Sequence, residues 1–358
     1  MGGASNAVFW GEEQDHWANP ALLGQARGIR FETSRSRVAA FLADPVPIES
    51  TDLVMGMGGL GLVFSGRPNG LGRVLLDYGL HSDYQSGSGS VETNQSVSSW
   101  GFGVNIIESV ENIKSVLNES ALGRIAFDVS FGMKFKQITI RPSLETTAAR
   151  DWGLLFRGTP IDRLDTKHGF PIRVDIAYGF SSLNYNDDAT FGSVDGPNHI
   201  TEHWRNGGAL RLAFDTQGLV AACAENTKCS RWVQGIRPLV SIGLSGDKDD
   251  LSYRGPDKRS QGWGAEMTIA RVFSIRRGHS IDHDYWPIDG PTWGWSVGVP
   301  VGRWAGIMFE EARFPQPRQP GQSPLPRRAV IAWFDPTSLV RRSSGSKPRR
   351  YEAPWSGQ

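Results

Sequence analysis

The stretch Arg124–Phe135, Arg-Ile-Ala-Phe-Asp-Val-Ser-Phe-Gly-Met-Lys-Phe, decides the fold. Ile125, Phe127, Val129, Phe131, Met133 and Phe135 share one parity, and Arg124, Ala126, Asp128, Ser130, Gly132 and Lys134 share the other. Successive side chains of a strand point to opposite faces, so this alternation marks a strand with two unlike faces. A helix would scatter the same bulky residues around its circumference.

The rhythm recurs in both directions. Ser98–Ile107 sets Trp100, Phe102, Val104 and Ile106 against Ser99, Gly101, Gly103 and Asn105. Ile172–Ser181 and Thr292–Pro300 alternate likewise. Weaker alternation is found near 29–41, 52–65, 73–83, 137–145, 150–157, 206–216, 235–245, 262–275, 303–313 and 328–334. The expectation is about fourteen strands. Turn signals fall at Ser65–Gly70, Gly158-Thr159-Pro160, Asn186-Asp187-Asp188, Gly246-Asp247 and Gly255-Pro256. Gln85–Gln95 reads as a polar loop, Pro315–Arg328 as a Pro-rich loop, and Glu108–Leu122 as one helix-like stretch.

Composition narrows the class. Glycine is 43 of 358 residues, and 13 tryptophans argue against disorder. No apolar run is long enough for a transmembrane helix. The 38 basic and 37 acidic residues leave a net charge of +1, which gives no electrostatic case for nucleic acid. Arg341, Arg342, Lys347, Arg349 and Arg350 read as a solvated basic tail. Cys223 and Cys229 are candidates for a small disulfide loop in an exported chain, with two free thiols as the alternative.

The small face chooses between a soluble sheet and a membrane barrel. Water-facing strands are usually rich in Lys, Glu and Thr, whereas here that parity is mostly Gly, Ser and Ala. The bulky parity carries aromatics towards strand ends, at Trp100, Trp152, Trp263 and Trp293. An all-β closed antiparallel transmembrane barrel, with a lipid-facing belt and a polar lumen, has this pattern.

Met1-Gly2-Gly3-Ala4-Ser5-Asn6-Ala7-Val8, followed by His16-Trp17-Ala18-Asn19-Pro20-Ala21-Leu22-Leu23-Gly24, resembles the start of the PorV-like and FadL-like (long-chain fatty-acid transporter-like) bacterial outer-membrane barrels. One extra residue, Ala18, separates Trp17 from Asn19. Leu183-Asn184-Tyr185-Asn186 is similar to a mid-barrel hairpin of the PorV-like group, with Asn186 in place of a glycine. The polar stretch after Trp333-Phe334 departs from barrels that finish on a terminal aromatic.

The resemblance implies a bacterial outer-membrane location and a lumen plug formed by residues 1–27. A barrel at 28–335 and a basic tail at 336–358 complete the expected organisation. Trp17, Asn19, Pro20 and Leu22 are the plug candidates; Asn before Pro initiates a turn and can cap a short helix. An export signal is expected upstream of Met1. The implied role is passage of small hydrophobic solutes, with the outer-membrane bilayer as partner and no cofactor. The PorV-like branch implies instead a partner of a secretion system that shuttles exported proteins. A soluble secreted carbohydrate-binding β-protein is a third reading.

Motifs that tempt towards catalysis are weak. His199-Ile200-Thr201-Glu202-His203 matches H-x-x-E-H, but Gly196-Pro197 and Gly207-Gly208 confine it to a loop without a third ligand. Gly56–Gly61 matches G-x-G-x-x-G without the helix a dinucleotide needs. His279, Asp282, His283 and Asp284 read as a polar loop. No catalytic residue and no metal ligand is expected.

Overall fold

The computed structural model describes residues 5–8, 10, 16–38, 46–57, 59–66, 95–106, 127–140, 145–164, 172–185, 190–191, 198–199, 202–214, 238–252, 258–282, 288–301, 304–315 and 325–335. Its strands are β1 (Arg27–Val38), β2 (Val46–Met57), β3 (Leu60–Gly66), β4 (Gln95–Asn105), β5 (Phe127–Ile140), β6 (Glu145–Leu164) and β7 (Ile172–Tyr185). Then follow β8 (Thr190–Phe191), β9 (Asn198–His199), β10 (Glu202–Phe214), β11 (Val240–Ser252) and β12 (Lys258–Ile269). The series ends with β13 (Phe273–Asp282), β14 (Ile288–Val301), β15 (Ala305–Phe314) and β16 (Leu325–Phe334). The pair β8–β9 forms a separate small ribbon.

The other fourteen strands pair antiparallel, each with its neighbour in chain order, and close into a barrel where β1 meets β16. Closure leaves the barrel no sheet edge, so its backbone donors and acceptors are satisfied within the ladder. Most strands run ten to fourteen residues, enough to cross a bilayer at the usual tilt.

Alternation sorts the two faces. Ile29, Phe31, Leu53, Leu62, Phe64, Trp100, Ile176, Tyr178, Leu244, Trp263, Ile275, Trp293, Val297, Ile307 and Phe309 are all exposed. Their neighbours of opposite parity, including Glu32, Asp52, Ser130, Lys134, Asp175 and Ser245, are buried inside. An apolar belt running right round the barrel is a surface for lipid and not for water. It removes the water-soluble alternative. Aromatic contacts rim the belt: Trp100 stacks on Phe135 at 4.5 Å, and Trp152, Phe180 and Trp204 touch one another. At the opposite rim, Phe127 stacks on Phe156 and Trp304 packs edge-on to Phe334.

The strand count agrees with expectation by compensation. The single segment expected at 52–65 is two strands, because Gly59 at φ +86° reverses the chain between Met57 and Leu60. The segment expected at 262–275 is also two; Ala270 and Arg271 take positive φ in a tight turn. Conversely, Phe127–Ile140 is one strand where the alternation alone separates 124–135 from 137–145. The segment 73–83 and the helix-like stretch Glu108–Leu122 lie outside the described residues.

Two expected turns are strand interiors. Gly246-Asp247 is paired on both sides within β11, to Gly208-Gly207 and to Trp263-Gly262. Gly158-Thr159-Pro160 lies within β6, where the register slips twice between Gly158 and Leu164. Pro160 has no N–H to give, and an irregular position tolerates that. The Pro-rich loop is shorter than expected, since Pro326 already pairs with Arg313 in the ladder.

Candidate functional site

The described residues ahead of β1, 5–8, 10 and 16–26, lie inside the barrel. Asn19 is extended, at φ −148°, and its Oδ1 accepts from the Ala21 N–H at 3.0 Å, capping a short 3-10 turn over Pro20–Gln25. Pro20 suits the first position, where its missing N–H costs nothing. Ala26 N–H donates to the Leu23 carbonyl at 3.0 Å and ends the turn. Every residue from Pro20 to Gln25 is buried.

The wall beneath this segment is made of glycine. In register, Gly28 faces Gly56, Gly56 faces Gly61, Gly61 faces Gly103, Gly103 faces Gly132, and Gly132 faces Gly153. Six adjacent strands thus place a glycine at one level. Except at Gly28, whose Cβ would meet Phe334 of β16, side chains there would collide with the segment: a Cβ on Gly56 would fall on the Ala26 carbonyl, on Gly61 on that of Leu23, and on Gly132 on that of Pro20. A Cβ on Gly103 would strike the Gly24 nitrogen, and one on Gly153 the Asn19 Oδ1. On β7 the register partner of Gly153 is Ser181, and two residues away Gly179 extends the groove, where a Cβ would meet the Asn6 carbonyl. The seat is therefore a groove of missing side chains, filled by main chain.

Polar contacts clasp the segment at both margins of the groove. The β1 start and the β16 finish lie at one end of the barrel, called here the terminal end. Towards the opposite end, Trp17 Nε1 donates to Asp52 Oδ2 at 3.1 Å, and the Lys134 ammonium stands 2.8 Å from the centre of the Trp17 indole. His16 Nδ1 is 3.3 Å from the same ammonium. Beside them Lys136 pairs with Asp151 at 2.7 Å, both fully buried, and donates to Asn184 Oδ1 at 3.0 Å. Towards the terminal end, Gln25 donates to Ser130 Oγ at 2.6 Å and accepts from Arg157 at 2.8 Å. There Asp175 accepts from Arg173 and Arg211, each at 2.7 Å.

The segment also reaches across the lumen. Asn19 Nδ2 donates to the carbonyls of Leu154 and Asn6, both at 3.0 Å. Asn6 donates through Nδ2 to the Gly179 carbonyl at 2.8 Å and through its backbone to Asp247 Oδ2 at 2.6 Å. A Cβ on Gly243 of β11 would strike the Trp10 indole. Ala7, Val8, Trp10, Ala21 and Leu22 form one buried apolar cluster with Leu155, Ala177 and Ala209 of the wall. The wall farther round carries charge: Arg276 of β13 pairs with Glu266 on the adjacent β12 and with Glu310 two strands away on β15.

Of the residues singled out by sequence, Trp17, Asn19, Pro20 and Leu22 all lie on this lumen segment; Leu22 is fully buried and Trp17 half-buried. Cys223 and Cys229 lie outside the described residues, as do the tail 336–358, the stretch 85–94 and His283-Asp284. Glu202 and His203 belong to β10 and not to a loop: Ser182 Oγ donates to Glu202 at 2.9 Å, and His203 Nδ1 lies 3.2 Å from Asp249. An extended chain turns these two consecutive side chains apart, so they share no helical face. Asn184, from the stretch likened to a hairpin, stands next to last in β7 at φ +58°, a conformation asparagine tolerates. Sequence reasoning missed Asn6, His16, Gln25 and Lys134. The glycines were visible on the small parity, but their shared level depends on register, which one sequence does not disclose.

No protein-family model matches the chain, and no curated protein matches it by sequence. Among solved structures the chain is similar to the toluene transporter TbuX of Ralstonia pickettii, with 12% identity over 94% of this chain and 96% of that one and a TM-score of 0.44. It is similar also to a FadL homologue of Pseudomonas aeruginosa, with 10% identity, the same coverages and a TM-score of 0.44. A third is the outer-membrane OmpT of Vibrio cholerae, with 9% identity over 86% of this chain and 95% of that one and a TM-score of 0.32.

Proposed function

We propose that the protein is a bacterial outer-membrane barrel that passes small hydrophobic solutes, and that its N-terminal segment is the plug governing that passage. One observation carries the reading: the segment crosses the lumen from β2 to β11 and brings an apolar cluster to its middle. A channel for ions gains nothing from an indole and a leucine at that place. Trp10, Val8 and Leu22 are buried while the segment is seated, and unseating it opens an apolar lining that a hydrophobic solute can share. The groove holds the segment by backbone contact and a few polar clasps, without a covalent tie among the described residues. It can therefore be unseated without breaking the wall.

The test is reconstitution of the full chain into phosphatidylcholine vesicles that enclose a solvatochromic apolar dye-binding protein. Toluene-sized aromatic hydrocarbons serve as the solute, and glucose as the polar comparison. The reading expects faster entry of the hydrocarbon than through empty vesicles and little change for glucose. Replacing Asn19 and Pro20 together raises leak and single-channel conductance. Equal entry of both solutes, or conductance unmoved by that replacement, refutes it.

A further inference from the structure

We infer that the outer face of β13, β14, β15, β16 and β1 carries a binding site for a lipid headgroup bearing two phosphates. Four arginines gather there. Arg277 pairs in register with Trp293, and Trp293 with Arg313; one row away, Glu311 pairs with Arg328, and Arg328 with Arg35. The Arg313 guanidinium lies 4.5 Å from the centre of the Trp293 ring. Glu311 is approached to 3.1 Å by both Arg313 and Arg328, and Glu49 of β2 stands opposite Arg35 in register, so the arginines outnumber the carboxylates among them. Asp289, above them, is engaged by His279 at 2.7 Å. The Arg328 side chain is 64% exposed and that of Arg313 41%, while Glu311 is 9% exposed. Arg313 and Arg328 therefore face outward while the Glu311 carboxylate between them is covered.

Their level matters as much as their charge. Moving from these arginines towards the terminal end, the outward residues turn apolar, on β1 after Thr33 and on β15 after Glu311. They are Ile275 and Phe273 on β13, Trp295 and Val297 on β14, Phe309 and Ile307 on β15, Val330 on β16, and Phe31 and Ile29 on β1. The cluster marks the border between the acyl belt and the polar surroundings, where headgroup phosphates lie. At the corresponding rim of the opposite wall the border is aromatic instead, built from Trp100, Phe135, Trp152, Phe180 and Trp204. Positive charge is thus concentrated on one side of the rim.

Spacing selects the ligand. Neighbouring strands lie roughly 4.8 Å apart, so Arg277 and Arg313, two strands apart, are separated by about 10 Å at the backbone. Arg328 and Arg35 face each other on paired strands. Two forks separated this way suit two phosphates on one headgroup, each taken by planar N–H pairs. Trp293 between them offers an apolar face to the sugar or glycerol that joins the phosphates.

The inference rests on the barrel crossing a membrane but not on what it transports. The test uses the full chain in non-ionic detergent, with diphosphorylated lipid A as probe and native mass spectrometry as readout. Wild type is expected to retain one lipid at concentrations where phosphatidylcholine is not retained. Arg277→Gln combined with Arg313→Gln and Arg328→Gln weakens retention at least tenfold, whereas Arg150→Gln, exposed on the opposite wall, leaves it unchanged. Heat-modifiable gel mobility reports folding. Arg277 is exposed and carries no ion pair among the described residues, so Arg277→Gln alone, expected to weaken retention about threefold, serves if the triple variant does not fold. Undiminished retention in these variants, an equal loss in Arg150→Gln, or displacement by pyrophosphate at the lipid's own concentration overturns the inference. Insertion into vesicles is measured separately; failure there defeats the membrane reading itself.

Discussion

Replacing Asn19 by alanine loosens the lumen segment without touching the barrel. The side chain makes three bonds at once: its Oδ1 caps the Ala21 N–H, and its Nδ2 serves the carbonyls of Leu154 and Asn6. Loss of a cap costs about 1 kcal/mol. Each buried carbonyl left without its donor adds roughly 1 kcal/mol at the lower end of the range. Seating is then weaker by about 3 kcal/mol, and roughly 1.4 kcal/mol is one decade, so the unseated fraction rises on the order of a hundredfold. Backbone hydrogen exchange of peptide 16–26, followed by mass spectrometry of the protein in micelles, reads that fraction directly. The Leu22 and Ala26 amides, bonded to Asn19 and Leu23, should exchange about a hundredfold faster, while β12–β14 keep their protection. Asn19→Asp retains the cap acceptor and loses only the two donations, so it should fall between wild type and alanine. A change below threefold in Asn19→Ala, with the barrel intact, would refute the seating argument.

Three further outcomes follow from named contacts. Gly103→Ala sets a methyl against the Gly24 backbone and should accelerate exchange of the same peptide, whereas Gly246→Ala, whose Cβ meets nothing nearer than 3.8 Å, should not. Lys136→Met strands Asp151 in the interior and should lower resistance to urea by about 3 kcal/mol or more; adding Asp151→Leu should restore part of it, and no restoration would count against the buried pair. Arg276→Gln leaves Glu266 and Glu310 without their shared cation, so the reversal potential in a salt gradient should move towards cation preference; an unmoved potential would remove this wall from the conducting path.

The architecture was legible because a membrane barrel repeats one simple rule, two faces at period two, on strand after strand. Phe127–Phe135 could hardly be read otherwise. Boundaries were harder where local chemistry and pairing disagree. Gly246-Asp247 is a turn dipeptide by composition, yet it has a partner on each side, and two ladders outweigh a local preference. Ala270 and Arg271 do turn the chain, although neither residue advertises positive φ. In the site, Asn19-Pro20 was readable because capping is local. Asn6, Gln25 and Lys134 were not, because the partners they meet across the lumen stand 103 to 241 residues away in sequence.

The glycine groove has a consequence for assembly. The five paired glycines that would strike the segment lie on β2 to β6, consecutive in the chain, and Gly179 follows on β7. The whole berth for residues 16–26 is therefore encoded before residue 186, ahead of β10 and the six strands after it. A curved open sheet of β1–β7 can receive its own leading segment from the side, with no need to thread it through a finished ring. Once β16 meets β1 the only routes out run along the barrel axis. The seam β1–β16 thus works as a one-way latch: the order in which strands are joined, and not the strength of any single bond, decides that the segment ends up enclosed.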